Sequence, residues 1–429
     1  MLLFFHQYMA VPFRLPPQNV VEHMSGELDD DTVVTWNVLS DVLTSNKDVY
    51  DLKYDPNPET PIEGNLFSSE NDLRNAQASD FIVDAMKQRK IICLQEATDT
   101  LVWRVLQPLC ADHGYRFEHE RQAFRKYPQP VCLGGRMVYG EYKLGLAILF
   151  PMDKYTSKAV ARIVAFKGPE IDEEKLGEVD SSMAAILAQV KDPSVSKADK
   201  SALGAKLVVL KKARDAIVGE KGDAIGPRDR TILCVVLEKL TDGPTDGSAK
   251  LMAVATVHVP CNYTQPLVME KYARCYRKAL KAFMDDHINS KLAHSVPVLL
   301  CGDMNSQPDS LFHKAMLEEY VDALDGARGP KACTCHSFTV RGRTESIQAC
   351  EDLSVKTLVL DHAYASQDLK IVWVAHPELS DDMANIPLPD EKWPSDHYPI
   401  CIGVRVPAKS YGLQAGAVLY AEPERAPRK

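Results

Sequence analysis

Asp303 and Asn305 stand two residues apart in "PVLLCGDMNSQPDS", residues 297–310, directly after an apolar run and a glycine. A carboxylate takes a proton from water or holds a cation. A carboxamide offers both a donor and an acceptor to a phosphate or a metal site. Other apolar runs end in the same manner: "VVTWN" at Asn37, "IICLQE" at Glu96, "VATVH" at His258 and "TLVLD" at Asp361. The stretch "WPSDHYPI" places Asp396 and His397 just before a further apolar run. Taken singly, an Asp or Asn after a strand is more often a turn or cap residue, and a lone histidine is more often structural. As a set they differ, because strand ends of two packed sheets share one rim. Acids, amides and histidines without added lysines suit a hard divalent cation together with a phosphate.

The elements that must carry these residues are short and β-prone. "TVVTWNVLS" (32–40), "IICLQEA" (91–97) and "LGLAILF" (144–150) read as strands. "RTILCVVLEKL" (230–240) and "KLMAVATVHV" (250–259) read as a hairpin across "TDGPTDGSA". "VPVLLC", "TLVLDHAY" and "ICIGVRV" complete the series. Ser69 with Asp72 predicts a capped helix running to about Arg89, with Leu73, Ala76, Phe81, Ala85 and Met86 on its apolar stripe. A second helix is expected from Pro266 to about Asp286, since Val268, Tyr272, Tyr276, Leu280 and Met284 repeat every four residues. Its other face carries Lys271, Arg274, Arg277, Lys278 and Lys281, for which solvation outweighs a substrate-facing role. Residues 153–228 are rich in Ala, Lys, Glu and Asp and read as a helical insertion, with Ser196 and Asp199 capping one helix. From about Ala408 the chain reads as a loose tail. Strands dominate, and the class is α+β. There is no glycine-rich phosphate loop of the G-x-x-x-x-G-K-[ST] type.

Composition narrows the partners. The 429 residues are 45% hydrophobic and 25% charged, which excludes a disordered chain. A net charge of −9 argues against avid non-specific nucleic-acid binding but leaves room for a local groove. Eleven scattered cysteines without zinc spacing point to a reduced compartment. "MLLFFHQYMAVPF" lacks a basic n-region and a cleavage site, and no run reaches transmembrane length. The expectation is a protein without a membrane partner, cytoplasmic, with nucleus or mitochondrion as alternatives.

In this order, "WN", "LQE", the histidine ending "VATVH", "GDMNS", "LD" and "SDH" resemble the endonuclease/exonuclease/phosphatase superfamily. "CGDMNSQPDS", "PSDHYP" and "WNVLSD" look like its poly(A)-deadenylase, nocturnin and angel-like branch. The resemblance implies a four-layer α/β/β/α sandwich of two packed mixed β-sheets flanked by helices, over residues 31–406. An arm at 1–30, a helical insertion at about 153–228 and a tail at 407–429 complete the division. It implies hydrolysis of a phosphoester with Mg²⁺, or Mn²⁺ in its place, as one or two ions.

The resemblance also carries roles. Glu96 matches the metal ligand, with Asn37 beside it and Asp396 reaching a metal directly or through water. Asp303 matches the residue that orients or deprotonates the attacking water, and Asn305 the amide that holds phosphate. His258 matches a phosphate-contacting histidine or an acid, and His397 the histidine that stabilises the transition state or transfers a proton, oriented by Asp361. The implied partner is RNA with a 3′ adenosine tail, or a small adenine nucleotide such as NADP(H) or 2′,5′-oligoadenylate. A non-catalytic binding protein of the same fold is the reading from another class, and intact Glu96, Asp303, Asn305 and His397 speak against it. Base contacts are expected from among Asn262, Tyr263, Phe338 and Tyr142, because rings and amides at a rim stack on and bond to bases. One departure stands out: the family's usual "DY" is "DH" here, at Asp361 and His362.

Overall fold

A computed structural model describes residues 30–38, 69–98, 101–133, 136–166, 173–192, 194–218, 230–240, 249–260, 265–324, 335–339, 354–375, 395, 397–413 and 417–421. The strands are β1 (Asp31–Asn37), β2 (Ile91–Gln95), β3 (Tyr115–Leu133), β4 (Arg136–Pro151), β5 (Tyr155–Phe166), β6 (Arg230–Lys239), β7 (Leu251–His258) and β8 (Val298–Asp303). They continue with β9 (Tyr320–Asp322), β10 (Cys335–Thr339), β11 (Ser354–Leu358), β12 (Asp361–Ser366), β13 (Lys370–Ala375), β14 (Ile400–Arg405) and β15 (Tyr420–Ala421). The α-helices are α1 (Ser69–Lys87), α2 (Gln107–His113), α3 (Glu173–Lys191), α4 (Lys197–Val218), α5 (Pro266–Phe283) and α6 (Leu311–Met316). None of these helices is long and apolar enough to cross a membrane.

Six strands form one sheet in the order β13-β14-β1-β2-β4-β3, and seven form a second in the order β15-β5-β6-β7-β8-β12-β9. Both are mixed. β1 and β2 run parallel, joined through α1, and β7 and β8 run parallel, joined through α5. A parallel pair needs such a crossover, whereas β6 and β7 pair antiparallel as a hairpin.

Period-two alternation sorts the side chains into three cores, and three cores between flat elements make four layers. Val33, Cys93, Leu146, Leu233, Met252 and Leu299 meet between the two sheets. Their sequence neighbours turn the other way. Val34, Leu94 and Ala147 pack under α1 with Phe81, Ile82 and Met86. Cys234, Ala253 and Leu300 pack under α5 with Tyr272, Tyr276 and Leu280. Strands buried on both faces read as continuous apolar runs, which is why these segments stand out so clearly in the sequence. On α5 the basic face is engaged in ion pairs. Arg274 meets Glu270 and Glu318, Arg277 meets Glu318 and Glu319, and Lys281 meets Asp285.

Three sequence expectations change. The segment 153–228 is not wholly an insertion. Its first part is β5, paired along its length with β6, and among the described residues α3 and α4 make up the helical part. Basic residues within β5, Lys158 and Arg162, hid the strand: Lys158 is buried and ion-paired to Glu238 at 2.8 Å. The capping of α4 is as expected, with Ser196 Oγ accepting from the Asp199 amide at 3.2 Å and donating to its carboxylate at 2.7 Å. The C-terminal stretch is not loose as far as residue 421. Tyr411 and Leu419 are buried in the core beneath α5, and β15 adds to the edge of the second sheet beside β5. Isolated anchors of this kind leave no periodic signal. Finally, "TLVLD" is not one strand. β11 pairs with β10 in a separate ribbon, and Asp361 opens β12 rather than closing a strand. Since β12 is antiparallel to β8, its first residue still lies opposite Asp303.

Gly302 fixes the spacing of β7 and β8. Its φ is 143°, and a Cβ there would lie 2.1 Å from the backbone oxygen of Val257. Gly302→Ala is therefore expected to lower unfolding free energy by about 1–3 kcal/mol, read as a lower melting temperature. It should also misplace His258 and Asp303, which are partners in the β7–β8 register.

Candidate active site

The side chains singled out by sequence meet at one rim. β1, β2, β7 and β8 end there, delivering Asn37, Glu96, His258 and Asp303. The antiparallel β12 begins there with Asp361. The chain entering β14, also antiparallel to β1, brings His397.

Asp303 is the hub, and it is buried. Its Oδ2 accepts from Asn37 Nδ2 at 3.0 Å and from Asn305 Nδ2 at 3.2 Å. His258 Nε2 is 3.5 Å and His397 Nε2 3.7 Å from the same oxygen. Oδ1 accepts the backbone N–H of Asn305 at 2.8 Å. Burial pushes this carboxyl above its ordinary range. His397 and His258 pull it down, as does the Asn305 amide, while Asp361 pushes it further up.

Asn37 joins the two sheets. Its amide nitrogen donates to Glu96 Oε1 at 3.0 Å as well as to Asp303. Glu96 reaches this position from one residue past β2 with φ at 58°, and His258 Nε2 lies 3.7 Å from its Oε1. A positive φ on a glutamate is uncommon and strained. On the far side His397 Nδ1 donates to Asp361 Oδ2 at 2.8 Å, which leaves Nε2 facing Asp303. The histidine is held at its backbone too. Trp36 Nε1 donates to its carbonyl at 2.9 Å and Ser395 Oγ accepts its N–H at 3.1 Å. Ser395 in turn donates to the Asn37 carbonyl at 2.7 Å.

Sequence reasoning passed over Trp36, Ser395 and Gln95. Gln95 Nε2 donates to Thr35 Oγ1 at 3.1 Å in its own sheet and to Thr256 Oγ1 at 2.8 Å in the other. This buried polar bolt lies between the sheets, one residue below Glu96. The signal was present: a glutamine inside the apolar run "IICLQ" has to find partners.

The two-residue spacing of Asp303 and Asn305 would put both side chains on one face if the strand continued through Asn305, and it does not. β8 ends at Asp303, and Asn305 has φ at 47°. The two side chains meet through an Asx turn, not through strand alternation. Met304 does point into the core, as its position implies. The Asn305 amide nitrogen is directed at the Val259 carbonyl, 2.8 Å away, and at Asp303, so a phosphate contact requires exchange of the Asp303 bond. Asp396, Asn262 and Tyr263 lie outside the described residues, as do the side chains of Tyr142 and Phe338.

Glu96, Asp303 and Asp361 make a set of hard oxygen donors beside two imidazoles. That set fits Mg²⁺ or Mn²⁺ better than a thiophilic ion. Asp303, Asp361 and His397 each offer a ligand atom within 4.8 Å of the others.

The profile of the "Endonuclease/Exonuclease/phosphatase family" matches residues 204–397. No curated protein matches the sequence. Among solved structures the chain is similar to ANGEL2, described as a 2′,3′-cyclic phosphatase in complex with adenosine-2′,3′-vanadate. The identity is 16% over 88% of this chain and 96% of that one, with a TM-score of 0.51. It is also similar to the human nocturnin catalytic domain with bound sulfate, at 13% identity over 88% and 94% with a TM-score of 0.47. The resemblance carried by the motifs is borne out by the profile match over residues 204–397 and, for the fold, by the likeness to ANGEL2.

The donor role of Asn37 sets a pH test. Asn37→Asp replaces a donating amide with a carboxylate facing two others, so its folded-state pKa must rise. A carboxyl raised on folding costs nothing below its unfolded value, and its full cost is present above the folded one. In chelator at pH 7.5 the variant should be less stable than the parent by on the order of 3 kcal/mol. The deficit should close as pH falls toward the carboxylate range. Melting curves across pH measure it.

Proposed function

We propose that this chain of the endonuclease/exonuclease/phosphatase type is a divalent-metal-dependent phosphoester hydrolase that shortens RNA from a 3′ adenosine tail. The observation that carries the hydrolase reading is the buried Asp303 carboxylate, set between the His397–Asp361 pair and the Asn37–Glu96 pair.

Glu96 would hold the cation, with Mg²⁺ expected, and Asn37 would support it by fixing the Glu96 carboxylate. When bound it neutralises phosphate charge that otherwise repels the nucleophile. Asp303 orients a water and takes its proton as the water oxygen bonds to phosphorus. The bond to the leaving ribose oxygen breaks, and that oxygen takes a proton from His258, the most exposed imidazole of the rim. Asp361 fixes the tautomer of His397, so that Nε2 stands ready where negative charge develops. Asn305 keeps Asp303 in register and offers its amide to the phosphate.

The adenosine tail rests on the "CGDMNSQPDS" and "PSDHYP" motifs, which look like the deadenylase branch. A second reading, a 2′,3′-cyclic or 2′-phosphate on an adenine nucleotide, draws on the likeness to ANGEL2 and on the acidic balance of the chain.

The test is a substrate panel with Mg²⁺: A-tailed RNA, U-tailed RNA, adenosine 2′,3′-cyclic phosphate, 2′,5′-oligoadenylate and NADPH. Shortening of A-tailed RNA is expected, and exclusive turnover of a small nucleotide would replace the tail by the second reading. Chelator should abolish the activity. Glu96→Ala should lose Mg²⁺-dependent turnover, while Asp303→Asn and His397→Ala should each lower kcat roughly 10²–10⁴-fold. Near-parental rates in Glu96→Ala would remove that residue from the metal site.

A further inference from the structure

Behind the rim lies a second convergence of ligating groups that the hydrolytic reading does not use. His362 follows Asp361 on β12 but points to the opposite face, as strand alternation requires. There it meets Asp322, the last residue of β9, and His313 of α6, all three buried. We propose that His313, Asp322 and His362 form a closed, structural metal centre for a borderline transition ion of the zinc class.

The hydrogen positions follow from the partners. His362 Nε2 is 2.8 Å from the carbonyl oxygen of Ser306. A carbonyl only accepts, so Nε2 carries a proton. His362 Nδ1 then faces Asp322 Oδ2 at 3.1 Å. Two lone pairs cannot sit so close unaided, and a positive charge must lie between them. That charge is either a proton, carried by His362 or shared from Asp322, or a metal ion.

Three observations favour the metal. A proton bridge needs one imidazole, yet His313 Nδ1 also approaches the same carboxylate oxygen, at 3.6 Å. The three ligand atoms lie within 4.8 Å of one another, and the two measured edges bracket the ~3.3 Å edge of a tetrahedron with bonds of about 2.0–2.1 Å. Donation of the distal ring N–H to a backbone carbonyl is the outer bond that metal-ligating histidines make. Tyr364 Oη, 3.0 Å from His313 Nδ1, supplies an oxygen at the edge of the cluster. Two imidazoles with oxygen select zinc-like ions, in contrast to the oxygen-rich rim.

Such a centre would staple α6, β9 and β12 to the turn that follows Asn305. Ser306, whose carbonyl takes the His362 proton, is the next residue in that turn.

The test uses the full chain without a histidine tag, dialysed against Mg²⁺ buffer. Elemental analysis should find about one zinc per chain. After stripping and reloading with Co²⁺, the protein should show the visible bands of tetrahedral cobalt. His362→Gln and Asp322→Asn, both close in size to the parent residue, should lower the zinc content at least roughly tenfold. Glu96→Ala should keep it. A parent chain with no transition metal and no cobalt bands would show that a proton bridges His362 and Asp322 instead, and would overturn the proposal. Zinc lost with Glu96→Ala but kept in His362→Gln would overturn it as well, by placing the ion at the rim. Neither readout needs a substrate, so the outcome is separate from that of the hydrolase reading.

Discussion

Everything at the rim depends on one buried carboxylate. Asp303 sits at the end of a central strand, with two amides and two imidazoles gathered on one of its oxygens. A lone carboxylate in that place would be costly, and donors and cations are what make it tolerable. The donors come from both sheets, Asn37 from one and Asn305 from the other. Their bonds to Asp303 hold only if the sheets pack face to face in a single register. The apolar core between the sheets supplies that register, and Gln95 bolts it from within.

The same demand explains the local strain. Glu96 and Asn305 both adopt positive φ directly after their strands. Asparagine accepts that conformation readily, while for glutamate it costs about 1–3 kcal/mol. In each case the turn re-aims a side chain that straight strand geometry would send elsewhere. These two side chains thus lie just past regular structure, where the backbone is still held by the sheet but no longer bound to its alternation.

β12 shows how one strand serves two faces. Asp361 faces the rim and orients His397. His362, one residue on, faces the opposite layer and joins Asp322 and the Ser306 carbonyl. The turn that holds Asn305 is therefore gripped from the rim side and from behind. The candidate site and the outer-layer packing share this short segment.

The sequence by itself determined the strands buried on both faces, because apolar runs bounded by polar residues have few other solutions. It also determined the chemistry-bearing residues, because Asn37, Glu96, His258, Asp303, Asp361 and His397 recur at the ends of such runs. It marked α1, α4 and α5 through caps and four-residue repeats. Other features were decided only by the tertiary structure. β5 is lysine-containing and becomes a core strand because Glu238 neutralises Lys158 on its neighbour. Tyr411 and Leu419 are anchors only because a core is there to receive them. Asp361 starts a strand and does not end one, and it reaches the same rim because β12 runs against β8. The meeting of Asn37 with Asp303, 266 residues apart, follows from sheet packing alone. Local pattern encodes which face a side chain takes. It holds no record of which distant strand will lie across from it, since that choice belongs to the packing of whole layers.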